Sequence, residues 1–141
     1  MRIFYAFKIK KEFMCLYKET PSILYNILSQ LYYMRKNNLN YGYTLFSQIV
    51  DFLDKDYIDK TIYIKLHTLM RYSKRKDEHI INNLYKDEVS IMKVRRTYIL
   101  VNSNKNCTEF FDIISELNKE LFICDFTNHD YFFVSSLKTL V

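Results

Sequence analysis

The sequence is poor in the residues that shape tight loops. Its 141 residues include one glycine, Gly42, one proline and no tryptophan. A loop that cradles phosphate needs several glycines, because its backbone N–H groups must close around the anion. A nucleophile elbow likewise needs glycines beside the reactive serine. The composition therefore excludes enzymes built on Walker loops, dinucleotide fingerprints or nucleophile elbows.

Cysteines are few, and long apolar runs are missing. Cys15, Cys107 and Cys124 are odd in number and contain no C-x-x-C pair, which favours reduced thiols in a cytosol over a disulfide framework. Residues 2–10 are charged and β-like, so we expect no signal peptide. No apolar stretch approaches the ~20 residues that cross a bilayer. These features predict a cytoplasmic protein that makes no use of a membrane.

Apolar and basic residues are plentiful. Hydrophobic residues make up 49% and charged residues 26% of the chain, the balance of a globular domain. A chain of this length can build a core without disulfides or metals. The net charge of +5 is uneven, because residues 1–70 and 71–96 each carry +4 and residues 97–141 carry −3. A mildly basic body of this kind can steer toward an acidic partner.

Alternating and β-rich segments predict about five strands. Residues 2–10 alternate strictly, and apolar residues on both faces suggest a strand covered on both sides at its start. Residues 89–95 and 97–102 are adjacent and β-rich, as in a hairpin. Residues 121–126 and 130–135 flank a turn-like segment and form a second predicted hairpin.

Helical spacing predicts the remaining elements. Thr20 and Pro21 are typical of a helix start, followed by an apolar stripe to about residue 35. Residues 57–73 fit a strand or a helix, and their length favours a helix. The other predicted segments are a short helix over 13–17, a loop over 36–42, a helix capped by Thr44 over 44–53, a short helix over 80–85 and a helix capped by Thr108. The element order predicts a single two-layer α+β domain over 1–141, with helices packed on a mostly antiparallel sheet.

No catalytic or metal-binding set stands out. His67, His79 and His129 are far apart in sequence, and none has a second ligand type at helical spacing. Cys124 and His129 could form a thiol–imidazole pair, but the apolar strand around Cys124 favours a packed, unreactive thiol. Asp125 and Asp130 are better explained as acids flanking a hairpin. We therefore expect a protein that is not an enzyme and holds no metal or cofactor.

A basic run offers one possible binding surface. It spans residues 71–76 and contains Arg71, Lys74 and Arg75. Together with Lys93, Arg95 and Arg96 of the segment 93–96 it could contact nucleic-acid phosphates between tyrosines. The competing interpretation is a solvated helix end whose cations complement the helix dipole. Asp77 and Glu78 follow directly and dilute the positive field, which favours the second interpretation.

Glu12, Phe13 and Tyr17 offer a different surface. The two aromatic side chains lie one helical turn apart and are flanked by charge. Such a pair can form a ridge that docks on a partner protein, because aromatic anchors carry much of the energy of an interface. The alternative is that both rings pack the helix onto the sheet, which is the commoner use of an aromatic stripe. For the ridge to be free, Met14 and Leu16 must supply the packing.

Two segments together resemble a known family. The first is an aromatic strand that runs into a helix, Tyr5-Ala6-Phe7-Lys8-Ile9-Lys10-Lys11-Glu12-Phe13, with Tyr17 after it. The second contains Phe110-Phe111 and then Phe122-Ile123-Cys124-Asp125-Phe126-Thr127-Asn128-His129-Asp130-Tyr131. In order and spacing these segments, which span roughly half of the chain, resemble the sporulation inhibitor of replication proteins (SirA) of bacilli.

The resemblance implies a function and a site. It implies a small cytosolic regulator that binds the N-terminal domain of the replication initiator DnaA and keeps it from firing, without direct contact to nucleic acid. Glu12, Phe13 and Tyr17 match the family's contact helix by position, and Gln48 matches a further contact residue. The sequence departs from the family pattern over 18–21, where the family has an aromatic–glycine pair, and residues 56–96 are barely recognisable.

Overall fold

The computed structural model describes residues 1–34 and 39–136, without the side chains of 39–41. The first strand lies inside one sheet, away from both of its edges. That strand pairs antiparallel with a neighbour on each side. The elements are β1 Arg2–Lys8, α1 Lys11–Tyr17, α2 Pro21–Tyr32, α3 Leu39–Ile49, α4 Lys55–Leu66, β2 Tyr72–Arg75, β3 Glu78–Asn83, β4 Glu88–Val94, β5 Ile99–Ser103, α5 Glu109–Leu117, β6 Leu121–Asp125 and β7 Asp130–Phe133.

The sheet is antiparallel throughout, with strand order β2-β3-β4-β5-β1-β6-β7. This confirms the predicted α+β class and both predicted hairpins. The described strands number seven rather than five. The two strands that were not predicted are β2 and β3, which form a third hairpin at one edge of the sheet.

Two predictions about the residues of this edge hairpin were wrong. Residues 80–85 were predicted as a short helix, but β3 occupies most of them. Ile81 is buried, whereas Ile80 on the opposite face stays partly exposed. Two adjacent apolar residues that face opposite sides of a sheet imitate a helical stripe, because strand side chains alternate. Residues 71–76 were interpreted as a helix end, but they contain β2.

Helices cover both faces of the sheet, so the domain has three layers rather than the two that were predicted. Phe4 and Ala6 of β1 pack on one face with residues of α4 and α5. Phe7 packs on the other face with Leu24 and Leu28 of α2 and with Ile49 of α3. The expectation that β1 is covered on both sides is therefore confirmed.

The helix ends follow local chemistry in some places and not in others. The Thr108 hydroxyl accepts the Phe110 N–H at 3.0 Å and caps α5 as predicted. Pro21 occupies the first turn of α2, but the Thr20 side chain makes no cap hydrogen bond. Thr44 was predicted to cap a helix over 44–53, yet it lies inside α3, which begins and ends earlier. The predicted loop over 36–42 lies outside the described residues at 36–38 and is helical from 39.

The ambiguous segment 57–73 begins as a helix, as favoured, and then changes structure. The helix α4 ends at Leu66, and β2 begins at Tyr72. The Asp54 carboxylate accepts the Tyr57 N–H at 3.2 Å and starts the helix. Ile62 and Leu66 are buried one turn apart and fix α4 on the sheet.

An ion network fastens the start of β1 to the β6–β7 hairpin. The Arg2 guanidinium donates to Asp125 at 2.8 Å, to Asp130 at 2.9 Å and to Asn106 at 2.9 Å. Burial alone would raise the pKa of Asp125, but hydrogen bonds from Asn128 and Arg2 outweigh it and lower that pKa. The two acids therefore share one cation, and they flank the β6–β7 hairpin.

Replacing Asp125 tests this network. We expect Asp125→Asn to lower the free energy of unfolding by about 2 kcal/mol at pH 7, because it removes a charged acceptor whose side chain is 1% exposed. Asp130 is 49% exposed, and Asp130→Asn should cost less than about 1 kcal/mol. Urea denaturation measures both values.

The pH dependence of the same pair has a defined sign. A carboxyl group whose folded pKa is lowered stabilises the fold above its unfolded pKa and loses that contribution as the pH falls through the folded pKa. The difference between the parent and Asp125→Asn should therefore shrink below about pH 4. A difference that stays constant down to pH 2.5 would contradict the assignment.

Candidate protein-interaction site

The short helix α1 is held in place by the end of β1. Ile9 forms an isolated antiparallel bridge with Val50. The Lys10 N–H donates to the Ile49 carbonyl at 2.8 Å, and the Asp51 N–H donates to the Lys8 carbonyl at 2.8 Å. These bonds fix the first turn of α1 beside the last turn of α3, although Lys10 offers no side-chain cap.

Phe13 and Tyr17 stack on each other along α1. Their ring centroids are 6.2 Å apart and their planes differ by 25°. Both side chains are half-buried, and both pack against the core on the α2–α3 side of the sheet. Each ring therefore packs against the core and still presents part of its surface to solvent, which combines the two interpretations that the sequence left open.

Of the other two predicted site residues, Glu12 neighbours this pair in sequence, and Gln48 lies at the end of α3, which is hydrogen-bonded to the start of α1. Glu12 is exposed and directly precedes Phe13. Gln48 is also exposed and directly precedes Ile49, whose carbonyl accepts the Lys10 N–H. The fold thus brings the end of α3 to the start of α1. We call the surface made by Glu12, Phe13, Leu16, Tyr17 and Gln48 the α1 corner.

Leu16 is the member of the α1 corner that the sequence reasoning missed. It was assigned to packing together with Met14, but it is 67% exposed, whereas Met14 is half-buried. Residues two positions apart point to nearly opposite sides of a helix, so both could not face the core. Phe13, Met14 and Tyr17 share the inner face, which leaves Leu16 in solvent. The angles between positions on a helix were therefore enough to predict that Leu16 is exposed.

The basic residues of the alternative site are only partly free. Arg71 donates its Nε hydrogen to the Glu109 carboxylate, shared between the two oxygens at 2.9 and 3.0 Å, and donates a second hydrogen bond from Nη2 to Oε1. Arg95 lies 3.6 Å from Asp77. Lys74 lies 5.9 Å from the centre of the Tyr63 ring.

Two further basic residues, Arg75 and Arg96, are exposed. Arg75 pairs across the hairpin with Glu78, which dilutes its charge. The five basic residues therefore do not form one unopposed positive surface.

The histidines and acids do not assemble into a metal or nucleophile site in the part of the chain that the structure describes. His67 and His129 are exposed. His79 is buried and engaged on both ring nitrogens. No group of three or more His, Cys, Asp or Glu side chains within residues 1–34 and 39–136 could hold a metal ion.

A cavity of about 350 Å³ lies between α2, α3 and the central strands. Its walls include the rings of Tyr5, Phe7, Tyr32, Tyr98 and Phe126. None of the described lining residues is an acid, a histidine or a cysteine. Burial raises the pKa of Tyr5, so its hydroxyl stays protonated at neutral pH. The described walls therefore supply no general base.

Comparison with known proteins adds no relative to this description. No family model matches the chain, and no curated protein gives a significant match.

Within residues 1–34 and 39–136, no helix has both the length and the apolar character that crossing a membrane requires.

The cysteines give a test of the local structure. Cys124 is fully buried, and burial raises the pKa of its thiol, whereas Cys15 on α1 is exposed. We expect a thiol reagent to label Cys15 rapidly in the native protein and to label Cys124 only after the sheet opens, orders of magnitude more slowly. Mass spectrometry of peptides from Cys107→Ser resolves the two sites. Equal labelling of both in native buffer would contradict the packing of β6.

Proposed function

We propose that this chain is a small cytoplasmic inhibitor of DNA replication initiation that binds the N-terminal domain of the initiator DnaA through the α1 corner. The proposal follows the resemblance to the sporulation inhibitor of replication proteins, which implies action during sporulation. The inhibitor acts by occupying a surface that the initiator needs and requires no reaction of its own.

The observation that carries the proposal is the composition of the α1 corner. A stacked and partly exposed aromatic pair lies beside Leu16, with polar side chains at the ends. Interfaces commonly place a few aromatic and apolar anchors at the centre and polar groups at the rim. Leu16, Phe13 and Tyr17 are the proposed anchors, and Glu12 and Gln48 are the proposed rim.

The mechanism of binding follows from how α1 is held. The aromatic pair packs on the core, so both rings keep one orientation before a partner arrives. Preorganised side chains lose less conformational entropy on binding than flexible ones do. A helix of only seven residues can thus present a defined apolar surface.

Binding to nucleic acid is the competing function, and two of its proposed contact residues already have acidic partners within the protein. Arg71 and Arg95 already face carboxylates within the protein. A phosphate-binding surface would have to compete with these pairs or depend mainly on Lys74, Arg75 and Arg96.

The decisive variant is Leu16→Ala, because this side chain is largely exposed and its loss should leave stability unchanged. Truncation of an interface anchor typically costs about 2 kcal/mol, which is about a 30-fold loss of affinity. We expect that loss in calorimetric titration against the purified initiator N-terminal domain. Leu84, which is 87% exposed in the turn after β3, gives the matched control, and Leu84→Ala should bind like the parent.

Further variants separate the two functions. Phe13→Ala and Tyr17→Ala should lose both affinity and some thermal stability, since each ring also packs on the core. Lys74→Ala and Arg75→Ala should leave initiator binding unchanged. A parent protein that fails to bind the domain, or a Leu16→Ala variant that binds normally, would refute the proposal.

Salt dependence identifies the alternative. Six phosphate contacts would lower affinity for DNA by roughly 10³-fold between 50 and 200 mM salt. An interface anchored by apolar side chains should change far less. DNA binding that is steeply salt-dependent and lost in Lys74→Ala and Arg75→Ala would favour the nucleic-acid function.

A further inference from the structure

A buried hydrogen-bond chain joins the β2–β3 hairpin to α4. His79 of β3 is fully buried. Its Nε2 lies 2.7 Å from Asp59 Oδ1 of α4, and its Nδ1 lies 2.8 Å from the Tyr72 hydroxyl of β2. Lys55 Nζ donates to the other oxygen of Asp59 at 2.6 Å. The chain therefore runs from Lys55 through Asp59 and His79 to Tyr72.

The arrangement fits a neutral imidazole. The Asp59 carboxylate beside Lys55 is an acceptor, so Nε2 of His79 carries the proton and donates to it. Burial raises the pKa of Tyr72 to about 12, with smaller contributions from Tyr63 and Asp59. The Tyr72 hydroxyl therefore stays protonated and donates to the remaining lone pair on Nδ1. Each donor in the chain then has one acceptor.

Protonation of His79 changes the donors and acceptors in this hydrogen-bond chain. An imidazolium donates from both nitrogens, so the hydrogen bond between Nδ1 and Tyr72 has to reverse: the hydroxyl oxygen becomes the acceptor, and its own proton loses Nδ1 as an acceptor. The titratable groups that act on it are Lys55 and Asp59 from α4 and Tyr72 and Lys74 from β2, with Tyr63 of α4 packed behind Tyr72. Its cross-strand neighbour on β4 is the uncharged Met92. Burial lowers the pKa of His79, and the attraction of Asp59 offsets this only in part because two lysines oppose it.

We infer that the Lys55–Asp59–His79–Tyr72 hydrogen-bond chain is an acid-sensitive latch: neutral His79 fastens the edge hairpin to α4, and its protonation makes the hairpin open more often. The hairpin carries Lys74, Arg75 and Lys76, so release would free a basic segment and uncover the edge of β4. The latch is independent of the α1 corner.

The direction of the effect follows from linkage. In the open hairpin His79 is solvated and titrates near its ordinary pKa of about 6.5. Since the closed state holds the neutral form, opening takes up a proton and becomes easier as the pH falls below about 6.5. The opening constant rises by up to about tenfold per pH unit until the folded pKa is reached.

Amide hydrogen exchange of the whole chain measures this opening. Between pH 7.5 and 5.5, and after correction for intrinsic exchange rates, protection factors in β2 and β3 should fall by up to about tenfold. The protection factors of β1 and β6 should stay constant over this pH range. His79→Gln keeps one donor and one acceptor but cannot titrate, and its hairpin protection should not change over this range. An equal fall in the variant, or no fall in the parent, would overturn the inference.

A second measurement does not depend on the fold of that variant. The ring resonances of His79 in the parent should titrate with a midpoint below 6.5. Tyr72→Phe keeps the ring but removes the hydroxyl that donates to Nδ1, which destabilises the neutral form and should move the midpoint upward. A midpoint at or above 6.5 in the parent, or an unchanged or lower midpoint in Tyr72→Phe, would refute the latch.

Discussion

The structure depends on the burial of one strand on all sides. β1 is hydrogen-bonded to β5 on one edge and to β6 on the other, and apolar side chains cover both of its faces. A strand in this position cannot slip by one residue, because the slip would exchange its two sets of core side chains. The register of β1 therefore fixes Arg2 at one end of the strand and α1 at the other. The register of β1 therefore sets the positions of both the ion network around Arg2 and the α1 corner.

The elements that could be predicted from sequence are those whose surroundings are simple. β1, β4, β5 and β6 lie within the sheet and alternate or are continuously apolar, and α5 has both a cap and a strong apolar stripe. The prediction for residues 80–85 was wrong because Ile80 and Ile81 face opposite sides of the sheet, where Ile81 is buried and Ile80 stays partly exposed. The predicted start of α3 was wrong because a threonine such as Thr44 can cap a helix or lie inside one, and the sequence does not distinguish the two. Leu16 could have been placed from helical angles alone.

Buried polar residues connect the layers, and they could not be paired from sequence. His79 joins β3 to α4 through Asp59. Glu88 on β4 is buried and accepts both the Ser90 hydroxyl at 2.7 Å and the Glu109 N–H at 3.2 Å, which puts a carboxylate at the start of α5. His79 and Asp59 are 20 residues apart along the chain, and Glu88 and Glu109 are 21 residues apart. Neither periodicity nor composition carries information about such pairs.

The two proposed activities depend on different parts of the fold. The α1 corner rests on the core between the sheet and α2–α3, whereas His79 lies on the opposite face beside α4 at the far edge of the sheet. The strands β4 and β5 separate that hairpin from β1, so opening of the hairpin breaks the β3–β4 ladder but none of the β4–β5 and β5–β1 pairings. Because local opening involves only the contacts that break, acid release of the hairpin leaves the register of β1 and the position of α1 unchanged. The proposed partner binding and the proposed acid response should therefore be separable by mutation.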